Sequence, residues 1–418
     1  MKINSYPELE KYLYSFILHT SLRLDRIKNL LAKLGNPQNK FPSVVVAGTA
    51  GKGSTSTILA SILSQSGLKV GLYTSPHLVR LNERFKINNK DISDKELIEF
   101  VNKISSVIAR TPIDRRTRQS HAGLLHPRKA RLRNDNIPSY FEIITTLAFM
   151  WFAKHKIDVA VLEVGMGGKW DATNIVNNKI SILTNVGLDH TEFLGETIEK
   201  IAQEKVAILK KNGVLITGVT QPSVKKIINN YANKQKAQVY FIKPENYQTK
   251  LLGNFQKINA SLAVAASRQF QPNISIKKGL LQAFIPGRLE IHKNIILDGA
   301  HNPMKMKALV DSLQKLYPDK KFITVFAAKK DKDVAKMLKV LLPIVSKLFI
   351  TKFTVNTDWG PHQAMEPEQI AKYVNKKYFL FDNPKKALQK ALKTTNEMVL
   401  ITGSLYLVGE IKKILLTK

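Results

Sequence analysis

The chain has 418 residues, which favours two domains because a single hydrophobic core rarely extends beyond about 250–300 residues. The absence of cysteine excludes disulfide bonds, thiolate catalysis and cysteine-ligated metals, and no apolar run is long enough to predict a membrane span. The formal net charge of +33 is compatible with nucleic acid, an anionic membrane or small acidic substrates, and we favour lysines spread over solvated surfaces together with an acidic substrate.

The first predicted elements are two amphipathic helices between Leu9 and Leu34, separated near His19-Thr20-Ser21. The stretch 44–63 (VVVAGTAGKGSTSTILASIL) then combines a valine-rich strand, a glycine-rich turn and a segment with helical spacing. Glycines let a backbone approach an anion closely, and the amides and dipole at a helix start favour negative charge. We therefore predict a phosphate-binding loop, with Lys52 at the outer phosphates and Ser54 on Mg²⁺. The alternative is a tight turn that contains a lysine by chance, since the spacing differs from the common P-loop motif.

Strand and helix patterns alternate through the following two hundred or so residues. Strands are predicted at 69–73, 158–164, 180–186, 213–217 and 238–242, and helices at 94–109, 141–155, 196–211, 254–269 and 275–284. The stretch 110–133 differs, because it is basic, has neither a helical nor a strand period and contains two prolines. It predicts a surface insertion, and a nucleic-acid-binding arm is the alternative.

The pattern restarts after a hinge at Pro286-Gly287, with strands predicted at 294–298, 322–327, 347–352, 378–381 and 398–402. Strands that alternate with helices predict parallel sheets covered on both faces. We therefore predict an α/β protein: an N-terminal P-loop ATPase domain with a mainly parallel sheet at 1–287, and a smaller Rossmann-like α/β domain at 288–418. Ligands are expected at the carboxyl ends of the strands and in the cleft between the domains.

Polar side chains follow three of the buried strands, namely Ser75, Glu163 and His190. Together with Ser54 they predict an oxygen-rich site that also holds an imidazole and suits Mg²⁺. Each has another interpretation when taken singly, with Glu163 as a helix-cap partner and His190 as an ordinary loop histidine.

Lys205 falls on the apolar stripe of its predicted helix, which is formed by Ile198, Ile201, Ala202, Ile208 and Leu209. The spacing therefore directs this lysine inward, where it needs a partner or a lowered pKa. The alternative is that the side chain extends along its alkyl stem to solvent.

A second candidate cluster follows the strand at 294–298. Asp298 at the end of this strand can hold a ribose hydroxyl, and His301 can approach phosphate. Asp331-Lys332-Asp333 opens a helix and is explained equally well as its acidic first turn.

Taken together, these stretches resemble the folylpolyglutamate synthase/dihydrofolate synthase family of the Mur ligase superfamily, of the bifunctional type. The blocks that carry the resemblance are GTAGKGS, TSPHLVRLNERFKIN, FEIITTLAF, VLEVGMGGKWDATN, LTNVGLDHTEFLGETIEKIAQEK, LLGNFQKINASLAVAA, PGRLE, LDGAHNP and ITGSLYLVG. They occur in the family's order and cover nearly the whole chain apart from about 110–134.

The resemblance implies an ATP-dependent ligase that adds L-glutamate to dihydropteroate and to reduced folates through an acyl phosphate, releasing ADP and phosphate. It implies Mg²⁺, with two ions expected, and K⁺ as a further option. Nucleotide contacts are implied for Gly48, Thr49, Gly51, Lys52, Gly53, Ser54, Asn259, Arg288, Asp298 and His301. Metal contacts are implied for Ser54, Ser75, Glu163 and His190, and catalytic roles for Lys52, Lys205 and His190. The pterin side is implied at Thr20, Arg23, Asp25, Arg26, Phe141, Glu142 and Asp171.

Lys205 matches the lysine that is carbamylated in this family, and a carbamate would explain a lysine on an apolar stripe. Three departures from the family pattern stand out: Ala50 replaces an asparagine, Val206-Ala207 replaces Ala-Gly, and Lys169-Trp170 replaces Arg-Leu. None of them alters a metal position or Lys205, so we expect activity, with Ala50 bearing on its rate.

Four other functions stay open at this point: a ligase of only one folate step, a cell-wall amino-acid ligase, a basic nucleotide-dependent nucleic-acid-binding protein, and a degenerate ligase that binds ATP without turnover. The pterin-side blocks argue against the cell-wall ligase. The lysine-rich stretches lack the interleaved aromatic residues of a nucleic-acid platform. We expect a cytoplasmic monomer that acts on small molecules and has no membrane or nucleic-acid partner, since the first residues lack a signal pattern.

Overall fold

The computed structural model describes residues 2–17, 23–110, 137–353, 356–357, 360–361, 364–394 and 397–416. The basic insertion predicted at 110–133 lies almost entirely outside the described residues, as do Thr20 and the predicted helix break around it. No helix of the described part is long and apolar enough to cross a membrane.

The first half of the chain builds an eight-stranded sheet. Its strands are β1 Ser43–Ala47, β2 Val70–Tyr73, β3 Phe85–Ile87, β4 Lys90–Asp91, β5 Val159–Glu163, β6 Ile180–Leu183, β7 Val214–Thr217 and β8 Gln238–Phe241. Their order across the sheet is β4-β3-β2-β5-β1-β6-β7-β8, and β2 is parallel to all the strands on its β5 side. The predicted mainly parallel sheet is therefore confirmed.

Helices cover both faces of this sheet. They are Tyr6–Tyr14, Asp25–Lys33, Lys52–Gln65, Asp94–Ala109, Tyr140–Lys154, Thr191–Leu194, Ile198–Val206, Pro222–Gln235, Phe255–Phe270 and Lys277–Gln282. Strand β1 shows why the sheet has two cores: Val45 and Ala47 pack in one, while Val44 and Val46 pack in the other. All five β1 residues are buried, as is typical of a parallel strand covered on both faces.

The second half of the chain forms a smaller sheet and a short hairpin. The strands are β9 Glu290–His292, β10 Ile295–Leu297, β11 Phe322–Phe326, β12 Val345–Ile350, β13 Asn356–Thr357, β14 Gly360–Pro361, β15 Tyr378–Leu380 and β16 Val399–Thr402. The order of the six-stranded sheet is β15-β12-β11-β16-β10-β9, and β13 pairs only with β14 among the described strands. The helices of this half are Pro303–Leu316, Val334–Leu341, Pro367–Ala371, Pro384–Thr394 and Leu405–Leu416.

The sequence pattern did not predict the antiparallel strands β3, β4 and β9. Each has only two or three residues, which is too short for an alternating pattern to be recognised. The β3–β4 turn places Asn88 and Asn89 at φ 45° and 64°, and the β9–β10 turn places Lys293 at φ 53°. Two adjacent left-handed residues are typical of a tight hairpin turn, and asparagine adopts this conformation more readily than most residues. The predicted helix at 196–211 is also shorter than expected and ends at Val206.

Candidate active site

The carboxyl ends of the parallel strands in both sheets open into one cleft of about 720 Å³. The first sheet contributes the loops after β1, β2, β5 and β6, and the second contributes those after β10, β11 and β16. The cleft therefore lies where ligand binding is expected in open α/β sheets.

The loop after β1 has the backbone of a phosphate cradle. Gly48 and Gly51 have φ values of 150° and 80°, and Gly51 precedes the helix Lys52–Gln65. A Cβ on Gly48 would lie 1.9 Å from Thr184 Oγ1, and one on Gly51 would lie 2.3 Å from Asn259 Oδ1. Both positions therefore require glycine, and the helix start faces the cleft with its backbone amides.

The loop is fastened from the end of β6, so its shape does not depend on the side chain at position 50. Ala50 N–H donates to Asn185 Oδ1 at 2.9 Å, and Thr184 Oγ1 donates to Ala50 O at 2.6 Å. Thr49 Oγ1 and the backbone of Gly187 add reciprocal hydrogen bonds of 3.1 and 2.9 Å. The alanine at position 50 therefore leaves the backbone cradle in place.

Two lysines meet at the base of this loop. Lys52 Nζ and Lys205 Nζ both donate to Gly48 O, at 3.1 and 3.2 Å. Lys205 is only 4% exposed, so the structure places it inside the protein and not along a path to solvent. Burial, together with the charge of Lys52, lowers the pKa of Lys205 to about 7.

The four residues predicted to hold a metal all line the cleft: Ser54, Ser75, Glu163 and His190. Glu163 Oε2 accepts a hydrogen bond from Ser75 N–H at 3.0 Å, and its carboxylate lies against Gly53. Burial raises the pKa of Glu163, which Lys52 opposes. Burial lowers the pKa of His190 to about 4, so its imidazole is neutral near pH 7 and has a lone pair available for a cation.

Within the described residues, no group of three or more carboxylate and imidazole side chains converges on one point. The four residues predicted to hold a metal offer one carboxylate, one imidazole and two hydroxyls. This donor set fits Mg²⁺, which prefers oxygen, keeps several waters and is usually completed by substrate phosphates.

Apart from Gly48, the predicted nucleotide residues line the cleft, and they come from both halves of the chain. Asn259 is buried in the helix Phe255–Phe270 against Gly51, and its amide donates to Gln256 Oε1 at 2.9 Å. Asp298 is also buried and accepts the N–H groups of Leu289 and Ala300, both at 2.9 Å. Asp298 therefore holds the backbone next to Arg288, which lines the cleft.

The predicted pterin residues divide into two groups. Arg23, Arg26, Phe141, Glu142 and Asp171 line the cleft, whereas Asp25 is exposed, pairs with Arg23 at 3.1 Å and does not line it. Both oxygens of Asp171 are used locally, accepting from Met166 N–H at 3.0 Å and from Thr173 N–H at 2.9 Å. Asp171 thus shapes the loop after β5, while Phe141 packs against Gly165 in that loop.

Arg26 and Glu142 form a buried ion pair on this side of the cleft. Arg26 Nε lies 3.0 Å from Glu142 Oε2, and the side chains are 3% and 5% exposed. Glu142 also completes a capping box with Ser139 at the start of the helix Tyr140–Lys154. The pair therefore ties the helix Asp25–Lys33 to the helix Tyr140–Lys154.

We expect Arg26→Met to lower the free energy of unfolding by about 3–5 kcal/mol, because it leaves the buried Glu142 carboxylate uncompensated. Urea unfolding measures this loss. The double variant Arg26→Met/Glu142→Gln removes both charges but keeps an acceptor for the capping box, so it should recover most of the stability. A double variant as unstable as the single one would show that the ion pair is not the cause.

The structure adds residues that the sequence patterns did not single out for the site. Lys305, His77 and Tyr406 line the cleft, and Thr184 and Asn185 hold the phosphate loop. Arg84 Nε donates to His77 Nδ1 at 2.8 Å, which fixes the imidazole at the cleft wall. Thr184 and Asn185 directly follow a buried strand, and that position was a sequence signal for a role in the site. No such signal marked Lys305, because its helix contains several lysines.

Comparisons with known proteins agree with this geometry. A family model described as the Mur ligase middle domain matches residues 117–257, and one described as the C-terminal domain of dihydrofolate synthetase matches residues 288–415. The chain is 31% identical to the dihydrofolate synthase/folylpolyglutamate synthase of Bacillus subtilis over 442 residues, covering 93% of this chain and 94% of the relative.

Two solved structures illustrate the likeness. The structure of Escherichia coli FolC in complex with DHPP and ADP superimposes with a TM-score of 0.81 at 28% identity and covers 98% of each chain. The bifunctional folylpolyglutamate synthase/dihydrofolate synthase of Yersinia pestis, complexed with AMPPNP and a Mn ion, has a TM-score of 0.81 at 29% identity and covers 97% of this chain and 98% of its own.

Proposed function

The chain belongs to the folylpolyglutamate synthase/dihydrofolate synthase family, and on that premise we propose that it ligates L-glutamate to dihydropteroate, to reduced folates or to both at the expense of ATP. The observation that carries the proposal is the lining of one cleft. The phosphate loop, the Arg26–Glu142 side and the loops of the second sheet all face it. ATP, the carboxylate acceptor and glutamate can therefore meet in the same space.

The proposed chemistry has two steps. An oxygen of the acceptor carboxylate bonds to the γ-phosphorus of ATP while the bond to the ADP oxygen breaks, which gives an acyl phosphate and ADP. The amine of glutamate then attacks the acyl carbon, phosphate leaves with the C–O bond electrons, and the nitrogen loses a proton. The residues of this chain contribute positioning and charge stabilisation, with Lys52 at the outer phosphates and the amides of the glycine loop beneath them.

We propose Mg²⁺ as the divalent cation, held by Glu163, His190, Ser54 and Ser75 directly or through water. When bound, it would neutralise phosphate charge and orient the transferred group. The buried Glu163 carboxylate and the neutral His190 support this assignment, as does the Mn ion in the Yersinia pestis relative. A second Mg²⁺ and a K⁺ ion are part of the same proposal.

We also propose that Lys205 is carbamylated. Unmodified, it places a second amine beside Lys52 on the single Gly48 carbonyl, which is an unfavourable arrangement for two cations. A neutral amine can attack CO₂, forming a nitrogen–carbon bond and releasing one proton, and the low pKa of Lys205 makes that neutral form available near pH 7. The resulting carbamate is an anion that complements Lys52.

The remaining proposals concern organisation. We propose residues 1–287 as the ATP-binding domain and 288–418 as the glutamate-ligase domain, supported by the two separate sheets. We further propose a monomer that acts in the cytoplasm on small molecules.

Phosphate release tests the proposed function. The protein is supplied with ATP, Mg²⁺ and L-glutamate, and the acceptor is omitted or is dihydropteroate, tetrahydrofolate or a UDP-muramyl peptide. We expect release only with a pterin acceptor and glutamate together, and the ratio between the two pterins assigns the step. Release that requires the muramyl peptide, or protein that binds ATP but turns over no acceptor, would contradict the proposal.

A further inference from the structure

Lys305 lies in the first turn of the helix Pro303–Leu316 and lines the cleft. Its Nζ is 2.9 Å from His301 Nε2, and His301 Nδ1 is 2.8 Å from Gly299 O. A carbonyl oxygen can only accept, so the imidazole proton is on Nδ1 and Nε2 accepts from the lysine. His301 therefore directs Lys305 and has no ring N–H left to donate to an anion. Of these two residues, Lys305 is the one that presents a cation to the cleft.

The start of this helix lies against the phosphate loop of the other sheet. A Cβ on Gly187 would lie 3.8 Å from Met304 Sδ and 3.7 Å from Thr49 Cγ2. Met304 precedes Lys305, and Thr49 belongs to the phosphate loop, where Gly187 bonds its hydroxyl. The helix turn that carries Lys305 therefore lies near the phosphate loop, and the charge of Lys52 in that loop acts on Lys305.

Other charged groups surround Lys305 in a way that suits a multiply charged anion. Burial, followed by the charge of Arg288, lowers the pKa of Lys305 to about 7. The further charges that act on it are those of Asp189, Lys52 and Lys332. The charge of Lys305 also acts on Asp298, so three cations and two carboxylates surround this lysine. The cations repel one another without a ligand, and a phosphate group would relieve that repulsion.

Resting on the proposed function, we propose that Lys305, oriented by His301, is a catalytic residue that binds the phosphoryl group transferred from ATP to the acceptor carboxylate. It holds the γ-phosphate before transfer and the same group in the acyl phosphate afterwards. Lys52 contacts this group from the phosphate loop, and Lys305 contacts it from the second sheet. The carboxylates of the acceptor and of glutamate are the other anions of the reaction, and the position of Lys305 near the phosphate loop favours phosphate.

Equilibrium binding of AMPPNP and ADP, each with Mg²⁺, tests the proposal, because only AMPPNP carries the γ-phosphate. Lys305→Met should lower the affinity for AMPPNP by about 10- to 100-fold, the loss of one charged hydrogen bond, and leave ADP binding nearly unchanged. Lys307→Met is the matched control on the same helix, since Lys307 is exposed and pairs with Asp311 at 2.8 Å. It should leave both affinities unchanged.

Lys305→Arg keeps the charge at all pH values and provides a second readout. In the original protein, deprotonation of Lys305 above about pH 7 should weaken AMPPNP binding more than ADP binding. The arginine variant should lose that pH dependence. Both proteins contain the other charged and titratable groups near this position, namely Arg288, Asp189, Asp298, Lys52, Lys332, His301 and Lys205. A difference in pH dependence between the two proteins therefore belongs to Lys305.

Three results would overturn the inference: equal losses for AMPPNP and ADP, unchanged affinity for both in Lys305→Met, or an effect confined to the KM for glutamate. The last would assign Lys305 to a substrate carboxylate. Nucleotide binding is measured without turnover, so these outcomes are independent of whether the acceptor assay supports the ligase. Circular dichroism and the unfolding midpoint verify that each variant is folded.

Discussion

Replacement of Lys205 by alanine is expected to lower kcat for ligation by about 10²–10³-fold while the protein stays folded, which is the size of effect seen when one preorganised charge is lost from an active site. Lys205 is buried beside Lys52 and the Gly48 carbonyl, where the proposed carbamate supplies a negative charge. Acceptor-dependent phosphate release measures the activity, and urea unfolding measures stability. Stability should not fall, since the variant removes an amine that is costly to bury.

The control for this prediction is Lys200→Ala, on the same helix but exposed, which should retain full activity. A small carboxylic acid such as formate should partly restore the activity of the Lys205→Ala variant, because it can place an anion in the space left by the side chain. Near-normal turnover of Lys205→Ala without any added acid would remove the proposed role of the carbamate. Intact-mass measurement of the original protein with and without bicarbonate tests the modification directly.

Replacement of Glu163 by glutamine is expected to lower activity by about 100-fold at a Mg²⁺ concentration that saturates the original protein. Glutamine keeps an oxygen acceptor for Ser75 N–H, so the loop after β2 keeps its hydrogen bond. The charge that would hold the cation is lost, so higher Mg²⁺ should be needed for turnover. The dependence of phosphate release on Mg²⁺ concentration measures this shift.

Thermal unfolding with and without Mg²⁺ and ADP separates the metal role from a structural one. Glu163→Gln should be as stable as the original protein in the absence of both ligands, and the stabilisation that they add together should be smaller. Glu99→Gln is a suitable control, because Glu99 is a surface residue paired with Lys103 and Lys154. Equal Mg²⁺ dependence in Glu163→Gln and the original protein would show that the proposed metal site is wrong.

Much of the fold was predictable from the sequence because its elements are periodic and buried. Strands such as β1 and β5 are short apolar runs between turn signals, and every residue in them is buried. The phosphate loop was predictable for a related reason: its glycines, lysine and serine are contiguous, and its two left-handed glycines lie within the motif.

The inward direction of Lys205 was also contained in the sequence, since the helical period assigns each position to a face. The helical period does not show which residues pack against that face. Lys205 meets the Gly48 carbonyl 157 residues away, and Arg26 meets Glu142 116 residues away. No local pattern connects positions at such separations.

Sequence patterns alone were thus enough for the longer strands and helices, the mainly parallel sheets, the phosphate loop and the helix face on which Lys205 lies. The packing of distant elements settled that Lys205 is buried, that Lys305 contacts His301, that Asp25 does not line the cleft, and that Asp298 and Asp171 accept backbone hydrogen bonds. The physical reason is that local backbone preference and periodic burial act within one element. The neighbours of a charged side chain depend on how distant elements pack.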